Sequence, residues 1–369
     1  MKILLVTMGM DIGGAETHIL ELAKELKRRG NEVFVASNGG KYVDELKEAN
    51  IEHIYAPLNN NKIKNVRASY KILKQVIIDK KIDLVHSHTR ITSFICGLLK
   101  KKLNFPYVTT AHWTFKVTPL FKLMTNWGEN VVAVSDDIKE YLIKNYDVNS
   151  ENIFVTVNGI DTEKFNKNID YSDIKKEFEL KDNTNRIVYI SRLDESRALV
   201  AKQLVNISEK LNEKIDDLEI VIVGGGDVFD EINQKANEIN QKLGKKLIIM
   251  TGARTDINKF ATSGKIFIGV SRAALEAMAC EQPVIIAGNE GYLGIFDESK
   301  LDKGIETNFC CRGLEMSNEE FLLKDVLELM NSGKKEEYGK YNREIVKKYY
   351  SVGKMADDTE KAYQKTLNK

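Results

Sequence analysis

Residues 1–37, MKILLVTMGMDIGGAETHILELAKELKRRGNEVFVAS, contain the pattern that decides the fold. The apolar run Lys2–Thr7 predicts a strand that is covered on both faces. In Ala15–Arg29 the apolar residues recur at helical spacing, and Gly30 follows as a capping glycine. Because Glu32–Ala36 again predicts a strand, the segment has the strand–helix–strand order of a parallel α/β unit.

The same alternation continues along the chain in two series. Further strands of the first series are predicted at Ile51–Ala56, Asp83–His86, Tyr107–Thr110 and Val131–Val134. Strands of the second series are predicted at Ile187–Ile190, Leu218–Val223, Lys246–Met250, Ile266–Val270 and Val284–Ala287. Helices of the second series are predicted at Ala198–Leu211, Val228–Leu243, Ala273–Cys280 and Glu319–Met330. Two such series predict two doubly wound α/β domains with parallel sheets.

A polar stretch, Thr162–Asn183, separates the two series and predicts the junction between the domains. We therefore predict an N-terminal domain of residues 1–165 and a C-terminal domain of residues 166–351. The last helix, at about 352–369, has no strand partner, and we expect it to cross back to the first domain.

Composition excludes several classes of protein. The 369 residues include 55 Lys and Arg against 54 Asp and Glu, a net charge of +1, which argues against a dedicated nucleic-acid binder. The four cysteines match no zinc pattern, and a reduced cytoplasmic setting is expected. No apolar run reaches the roughly 18 residues of a membrane helix.

Two glycines, Gly13 and Gly14, lead from the first predicted strand into the first predicted helix. Their backbone N–H groups and the helix dipole suit a diphosphate. The pair equally suits a tight turn without a ligand, and no Gly-x-Gly-x-x-Gly dinucleotide fingerprint is present. Both interpretations stay open on the residues alone.

Three of the five histidines lie at the ends of predicted strands. His86 and His88 share one strand face, and without a neighbouring cysteine or carboxylate we interpret them as packing or hydrogen-bonded residues rather than metal ligands. His112 follows Tyr107–Thr110 at the strand end, where α/β domains bind ligands. Its ring suits a sugar hydroxyl or a phosphate, with a capping or core role as the alternative.

Two arginines lie near the start of a helix in the second series. Arg192 follows the strand Ile187–Ile190, and Arg197 comes five residues later. Fixed cations beside a helix N-terminus suit a leaving diphosphate, whose charge grows as a glycosidic bond breaks. Pairing with Asp194 and Glu195 on a solvated loop is the alternative.

Two further features of the second series lie near predicted strand ends. The run Gly224–Gly226 allows either close approach of a ligand or a turn. Glu276 is a single carboxylate in an otherwise apolar helix, so its burial requires a partner. A ribose diol and a neighbouring arginine both meet that requirement.

Taken together, these motifs resemble glycosyltransferase family 4, the group 1 glycosyltransferases. In chain order they are Gly13–His18, His112, Val134–Ser135, Asn158–Asp161, Ser191–Arg192, Gly224–Gly226 and Leu275–Ala279. The resemblance implies a GT-B fold, in which two Rossmann-like domains face each other. It also implies that the nucleotide binds mainly to the C-terminal domain and the acceptor mainly to the N-terminal domain.

The resemblance also implies roles for individual residues. Gly13 and Gly14 would approach the donor diphosphate, His112 would contact the donor sugar, Arg192 and Arg197 would hold the phosphates, and Glu276 would hold the ribose. Further donor contacts are predicted at Gly225, Arg254, Arg272, Glu290, Gly291 and Tyr292, although the loop 287–292 differs from the usual family form.

The chain departs from the family pattern in two further places. The family usually has lysine where this chain has Arg197, and the two are not interchangeable. A second glutamate usually stands eight residues before Glu276, where this chain has Ile268 inside a predicted strand. Arg272 brings a cation to the region where the family has a carboxylate, so the sugar is left undecided.

The expected function is therefore transfer of a sugar, with retention and without a metal or cofactor, from a nucleotide sugar that we expect to be a UDP-sugar. The expected acceptor is a glycan, a lipid-linked glycan or a protein in bacterial surface-polysaccharide or glycoconjugate synthesis. A nucleotide-sugar 2-epimerase and a catalytically silent GT-B partner protein are the alternatives. The Ile268 departure motivates the second of these.

Two basic segments bear on where the protein works. Lys64–Lys81 is a basic amphipathic helix, and Lys100–Lys102 follows the apolar run Phe94–Leu99. Solvated faces and peripheral contact with an anionic membrane both explain such runs. The expected location is the cytoplasm, with the inner face of the membrane as the alternative.

Overall fold

The computed structural model describes residues 1–114 and 117–368. The chain forms two compact units. The first comprises Met1–Gly159 together with the segment that begins at Tyr350, and the second comprises Ile160–Tyr349. The last residue of the predicted crossing helix, Lys369, lies outside the described residues.

The first unit is built on a seven-stranded sheet in the order β3-β2-β1-β4-β5-β6-β7, and its described pairings are parallel. Its strands are β1 (Lys2–Val6), β2 (Glu32–Ser37), β3 (Glu52–Tyr55), β4 (Leu84–Ser87), β5 (Tyr107–Ala111), β6 (Asn130–Ala133) and β7 (Ile153–Val155). Its helices are α1 (Gly14–Arg28), α2 (Val43–Glu48), α3 (Ile63–Asp79), α4 (Arg90–Leu103), α5 (Pro119–Met124), α6 (Asp136–Tyr146) and the last helix of the chain, α15 (Val352–Leu367).

Helix α15 completes the core of the first unit, as the sequence predicts. Met355 and Tyr363 are fully buried in the same apolar cluster as Ile19 of α1. Burying such a side chain contributes about 1.5–3 kcal/mol. At the rim, Arg29 donates to Asp357 at 2.7 Å and to Glu360 at 2.6 Å, so both apolar and ionic contacts hold the helix to α1.

The second unit contains a six-stranded sheet in the order β10-β9-β8-β11-β12-β13. Its strands are β8 (Asn185–Ile190), β9 (Leu218–Val223), β10 (Ile248–Met250), β11 (Ile266–Gly269), β12 (Val284–Gly288) and β13 (Gly291–Ile295). Its helices are α7 (Ser172–Phe178), α8 (Leu199–Asn212), α9 (Phe229–Leu243), α10 (Ile257–Ser263), α11 (Ser271–Ala279), α12 (Leu301–Glu306), α13 (Glu319–Asn331) and α14 (Lys335–Tyr349).

The second sheet is parallel, as predicted, except at its edge, where the sequence predicted no strand. Strand β13 pairs antiparallel with β12. The connection between them is short and turns at Gly291, whose φ of +153° favours glycine. With two glycines in five residues, β13 lacks the continuous apolar run by which the other strands were predicted.

No helix in the described ranges combines the length and apolar character needed to cross a bilayer. Cys96, Cys280 and Cys311 are buried thiols that form no disulfide in the described ranges.

Candidate active site

In the first unit, the turn after β1 places a carboxylate where a phosphate was expected. Helix α1 begins at Gly14, and Gly13 caps it with extended backbone. A Cβ added at Gly13 would lie 2.3 Å from Oε2 of Glu16, so this carboxylate already lies against the helix start. The N–H groups and dipole that attract phosphate also favour a carboxylate. A diphosphate at Gly13 and Gly14 would therefore have to displace Glu16.

Four histidines gather near the carboxyl ends of β4 and β5, and we call His18, His86, His88 and His112 the histidine cluster. The ring centroids of His86 and His88 lie 4.1 Å apart. The rings of His88 and His112 are stacked, with their centroids 5.4 Å apart. The His18 ring meets His112 edge-on at 4.8 Å. Nδ1 of His88 lies 3.1 Å from Nε2 of His112, within hydrogen-bond distance.

His86 is the anchor of the histidine cluster. Its Nδ1 lies 2.7 Å from the hydroxyl of Tyr363 on α15, and its Nε2 lies 2.7 Å from Oγ1 of Thr110 on β5. Both ring nitrogens are thus hydrogen-bonded inside the first unit, which agrees with the packing role expected from sequence.

Burial keeps three rings of the histidine cluster neutral, those of His86, His88 and His112. Desolvation, followed by the nearby ring of His18, lowers the pKa of His86 to about 3. Desolvation and the neighbouring histidines lower the pKa values of His88 and His112 well below the usual range. Over residues 1–114 and 117–368, no group of three or more His, Cys, Asp or Glu side chains is arranged to hold a metal ion.

In the second unit, a glycine run supports the loop that follows β8. The N–H of Leu193 donates to the carbonyl of Gly225 at 3.0 Å, and the N–H of Ser191 donates to Val223 at 3.1 Å. A Cβ at Gly224 would lie only 1.8 Å from the carbonyl oxygen of Ser191, and Gly224 has a φ of +152°. Glycine is thus required for backbone to pack on backbone, and this packing fixes the position of Arg192.

Arg192 is an exposed cation at the carboxyl end of β8. In the part of the chain that the structure describes, its guanidinium forms no hydrogen bond or ion pair. Arg197 is half-exposed and lies 3.5 Å from Asp194. Asp194 is held mainly by Ser196, whose hydroxyl donates to it at 2.6 Å and lowers its pKa. The alternative of paired arginines therefore applies to Arg197 and not to Arg192.

Glu276 is buried in α11, and its neighbour in the structure is the arginine that the sequence offered as an alternative. Nε of Arg272 donates to Oε1 of Glu276 at 2.8 Å, and both side chains are largely buried. Ile268 is fully buried in β11 between Tyr189 and Ile285. Only Val270 separates β11 from α11, so no loop remains there to carry a second carboxylate.

The structure assigns supporting contacts to three other predicted donor residues. Arg254 binds Glu177 and Asp256 through four hydrogen bonds of 2.8–3.0 Å. The hydroxyl of Tyr292 donates to Asp325 at 2.8 Å, and Glu290 lies 3.3 Å from Arg312. The guanidinium of Arg254 and the phenol of Tyr292 are thus engaged within the second unit, so we do not carry them forward as ligand groups.

Comparison with protein families identifies both halves of the chain. The model described as Glycosyltransferase Family 4 matches residues 12–164. The model described as Glycosyl transferases group 1 matches residues 184–305, which contain Arg192, Arg272 and Glu276. The chain is a group 1 glycosyltransferase. The sequence resemblance is therefore confirmed, and the enzyme class with it.

Individual relatives of this glycosyltransferase are distant. It is 28% identical over 253 residues to the Escherichia coli UDP-Gal:alpha-D-GlcNAc-diphosphoundecaprenol alpha-1,3-galactosyltransferase, and the match covers 62% of this chain and 62% of the relative. It is 22% identical over 385 residues to one of the subunits of the human phosphatidylinositol N-acetylglucosaminyltransferase, covering 96% of this chain and 74% of that one. The chain thus spans about three-fifths of the first relative's length.

Solved structures confirm the GT-B fold. The glycosyltransferase from Rickettsia africae matches with a TM-score of 0.78 and 21% identity, covering 99% of this chain and 98% of that one. Anabaena HepE in complex with UDP-glucose matches with a TM-score of 0.72 and 16% identity, covering 99% of this chain and all of that one. At these identities the likeness concerns the fold.

Sequence reasoning missed one member of the histidine cluster. His18 ends the Gly13–His18 motif, and the sequence motif alone predicted no site role for it. It is fully buried on α1, and its Nδ1 lies 3.2 Å from Oδ1 of Asn158. Its position four residues after Gly14 puts it one turn into the helix that follows β1. That spacing was the available signal, because β1 lies beside β4.

Proposed function

We propose that this glycosyltransferase moves a sugar from a UDP-sugar to a lipid-linked glycan and retains the anomeric configuration. The observation that carries the proposal is Arg192, an exposed cation held after β8 by a glycine turn, with Arg197 five residues on. Both stand just before α8, whose N-terminus favours negative charge. Together they suit the diphosphate that leaves the sugar.

The reaction follows from where charge develops. The bond between the anomeric carbon and the diphosphate oxygen breaks, while the acceptor oxygen bonds to the same carbon and its proton passes to a phosphate oxygen. Arg192 and Arg197 stabilise the growing negative charge of the leaving group. Because two cations of the protein supply this charge, we propose that transfer needs no metal ion. His112, half-buried at the end of β5, contacts the donor sugar.

The names of the relatives support the choice of donor and acceptor. The structure of HepE contains UDP-glucose. The name of the Escherichia coli relative gives UDP-galactose as the donor and a diphosphoundecaprenol-linked sugar as the acceptor. The human relative acts on phosphatidylinositol. A uridine nucleotide and a lipid-borne acceptor recur in these descriptions, and we carry both to this chain as proposals.

We expect UDP to raise the thermal unfolding temperature of the protein more than GDP, ADP or CDP at equal concentration. A ligand at 100 times its Kd stabilises the folded state by about 2.7 kcal/mol. Thermal-shift measurements over a range of nucleotide concentrations check this, with Arg192→Ala as the variant in which the UDP shift shrinks. A protein whose unfolding temperature responds to none of the four nucleotides would remove the basis of the proposal.

A basic face of the first unit supports work at a membrane, where a lipid-linked acceptor resides. Lys64, Arg67 and Lys71 of α3 are exposed and share one side of that helix, and we call these three residues the basic face. Lys101 and Lys102 near the end of α4 are exposed as well. Helices α3 and α4 pack together. Nearby apolar side chains are also exposed, Ile63 at 70% and Leu98 at 40%. Cations beside exposed apolar residues are typical of surfaces that bind anionic lipid.

We therefore expect the protein to sediment with vesicles that contain phosphatidylglycerol and to be released by salt. The double variant Lys64→Glu, Lys71→Glu should weaken binding by about tenfold or more, since each cation near an anionic surface contributes about 1 kcal/mol. The matched control is Lys210→Glu with Lys214→Glu, two exposed lysines of the second unit. Equal binding by both double variants would contradict the assignment of the basic face.

A further inference from the structure

The hydrogen bond between His88 and His112 links the proton positions of two rings. It joins Nδ1 of His88 to Nε2 of His112 at 3.1 Å. Burial lowers both pKa values well below the usual range, so each ring is neutral and carries a single N–H. One of the two nitrogens in the bond must donate and the other must accept. Consequently the tautomer of one ring decides the tautomer of the other.

The linkage allows two arrangements. If Nε2 of His112 donates, its Nδ1 is a bare acceptor and Nε2 of His88 carries a proton. If Nδ1 of His88 donates instead, Nδ1 of His112 carries a proton and Nε2 of His88 is bare. Between the two arrangements, Nδ1 of His112 changes from acceptor to donor, and the charge of the ring stays the same. This change requires surroundings in which Nε2 of His88 can be either protonated or bare.

The surroundings of His88 meet that requirement. Its side chain is 3% exposed, and its Nε2 is buried with no hydrogen-bond partner in the described ranges. His88 lines a small cavity, with room for about one water molecule, whose walls include Thr89, Arg90, Thr109, Thr110 and Trp127. Nε1 of Trp127 is a second buried polar atom without a partner among the residues described. A water held beside such unpartnered polar atoms can donate or accept a hydrogen bond.

The neighbouring rings hold this pair in place. His86 is fixed at both nitrogens by Tyr363 and Thr110 and lies against His88 at 4.1 Å. His18 meets His112 edge-on. The rings therefore keep their orientation while the proton position changes.

We infer that His88 is a positioning residue that sets the tautomer of His112, and so decides whether Nδ1 of His112 donates or accepts a hydrogen bond at the donor sugar. The part that concerns the sugar rests on the proposed function. The part that concerns the tautomer rests only on the two rings and the cavity. The two parts can therefore fail separately.

The test uses histidine labelled with ¹⁵N in the whole protein, which contains only five histidines. The couplings of the ring protons to the two nitrogens identify each tautomer, and His112→Gln assigns the His112 signals. His88→Phe keeps a ring against His86 and removes the partner of His112, so the tautomer pattern of His112 should change. His88→Asn places an amide where Nδ1 was and should restore it. An unchanged His112 pattern in a folded His88→Phe protein would overturn the inference.

Kinetics then test the part that concerns the sugar. We expect His88→Phe to lower kcat by about tenfold with a smaller change in the donor KM, and His88→Asn to recover most of that loss. A changed tautomer with unchanged kcat would overturn the role in transfer and leave the tautomer linkage intact. If His112→Ala itself retains full kcat, the proposed contact of His112 with the sugar is wrong, whatever the spectra show.

Discussion

Replacing Arg192 with alanine is expected to lower turnover by about 100-fold or more, because its cation acts on charge that develops in the transition state. The side chain is exposed and, within the described ranges, makes no ion pair or hydrogen bond. Removing it should therefore leave the thermal unfolding temperature almost unchanged. Steady-state rates with a UDP-sugar, measured beside thermal unfolding, separate the loss of chemistry from a loss of folding.

Two variants sharpen this comparison. Arg192→Lys keeps the charge but loses the planar fork, so its activity should lie between wild type and Arg192→Ala. Arg28→Ala removes an exposed arginine of α1, 74% accessible, with the same change in net charge. Its rate should match wild type. If Arg192→Ala turns over within a few-fold of wild type, the assignment of Arg192 to the leaving diphosphate is wrong.

Acid is expected to destabilise the first unit strongly, through the histidine cluster. The pKa of His86 falls to about 3 on folding, and those of His88 and His112 also fall well below the usual range. Between these folded values and the unfolded value of about 6.5, the unfolded chain binds more protons, so stability declines as the pH decreases. At pH 5.5 each of the three histidines should cost about 1.4 kcal/mol relative to pH 7.5.

Urea unfolding at pH 7.5 and pH 5.5 measures this loss, about 4 kcal/mol in all. His86→Gln should reduce the difference between the two pH values by about a third, since one of the three titrating groups is gone. His53→Gln is the comparison: His53 is only half-buried on β3, and burial and Lys47 also lower its pKa, so its replacement should reduce the difference by less than His86→Gln does. A pH effect that His86→Gln leaves unchanged would show that His86 does not contribute to it, which contradicts the lowered pKa of this residue.

The strands show how much of the fold the sequence predicts. Strand β9 has the predicted bounds, Leu218–Val223, because a buried parallel strand is a continuous apolar run. Strand β7 has only three apolar residues and the edge strand β13 is interrupted by glycine, and neither was predicted. The position of α15 was predicted from its lack of a strand partner and is confirmed by the burial of Met355 and Tyr363.

For the site, the order of strands and helices predicts positions but not partners. His112 follows β5 and Arg192 follows β8, as the strand-end argument requires. One partner of Arg254, Glu177, lies in α7, and the partner of Tyr292, Asp325, lies in α13. The residues of these pairs are far apart in the sequence and meet only in the folded chain, so no local sequence pattern predicts the contacts. The linkage of His88 to His112 across 24 residues was missed for the same reason.

Transfer itself is the most direct test of the proposed activity. The glycosyltransferase is incubated with UDP-galactose, UDP-glucose and UDP-N-acetylglucosamine, each with and without an N-acetylglucosamine-diphosphate lipid, and in the presence of EDTA. We predict one UDP released for each sugar transferred, dependence on the acceptor, and a product that keeps the α configuration of the donor. Donor binding followed by free sugar, by an epimer or by no product at all would contradict the proposal.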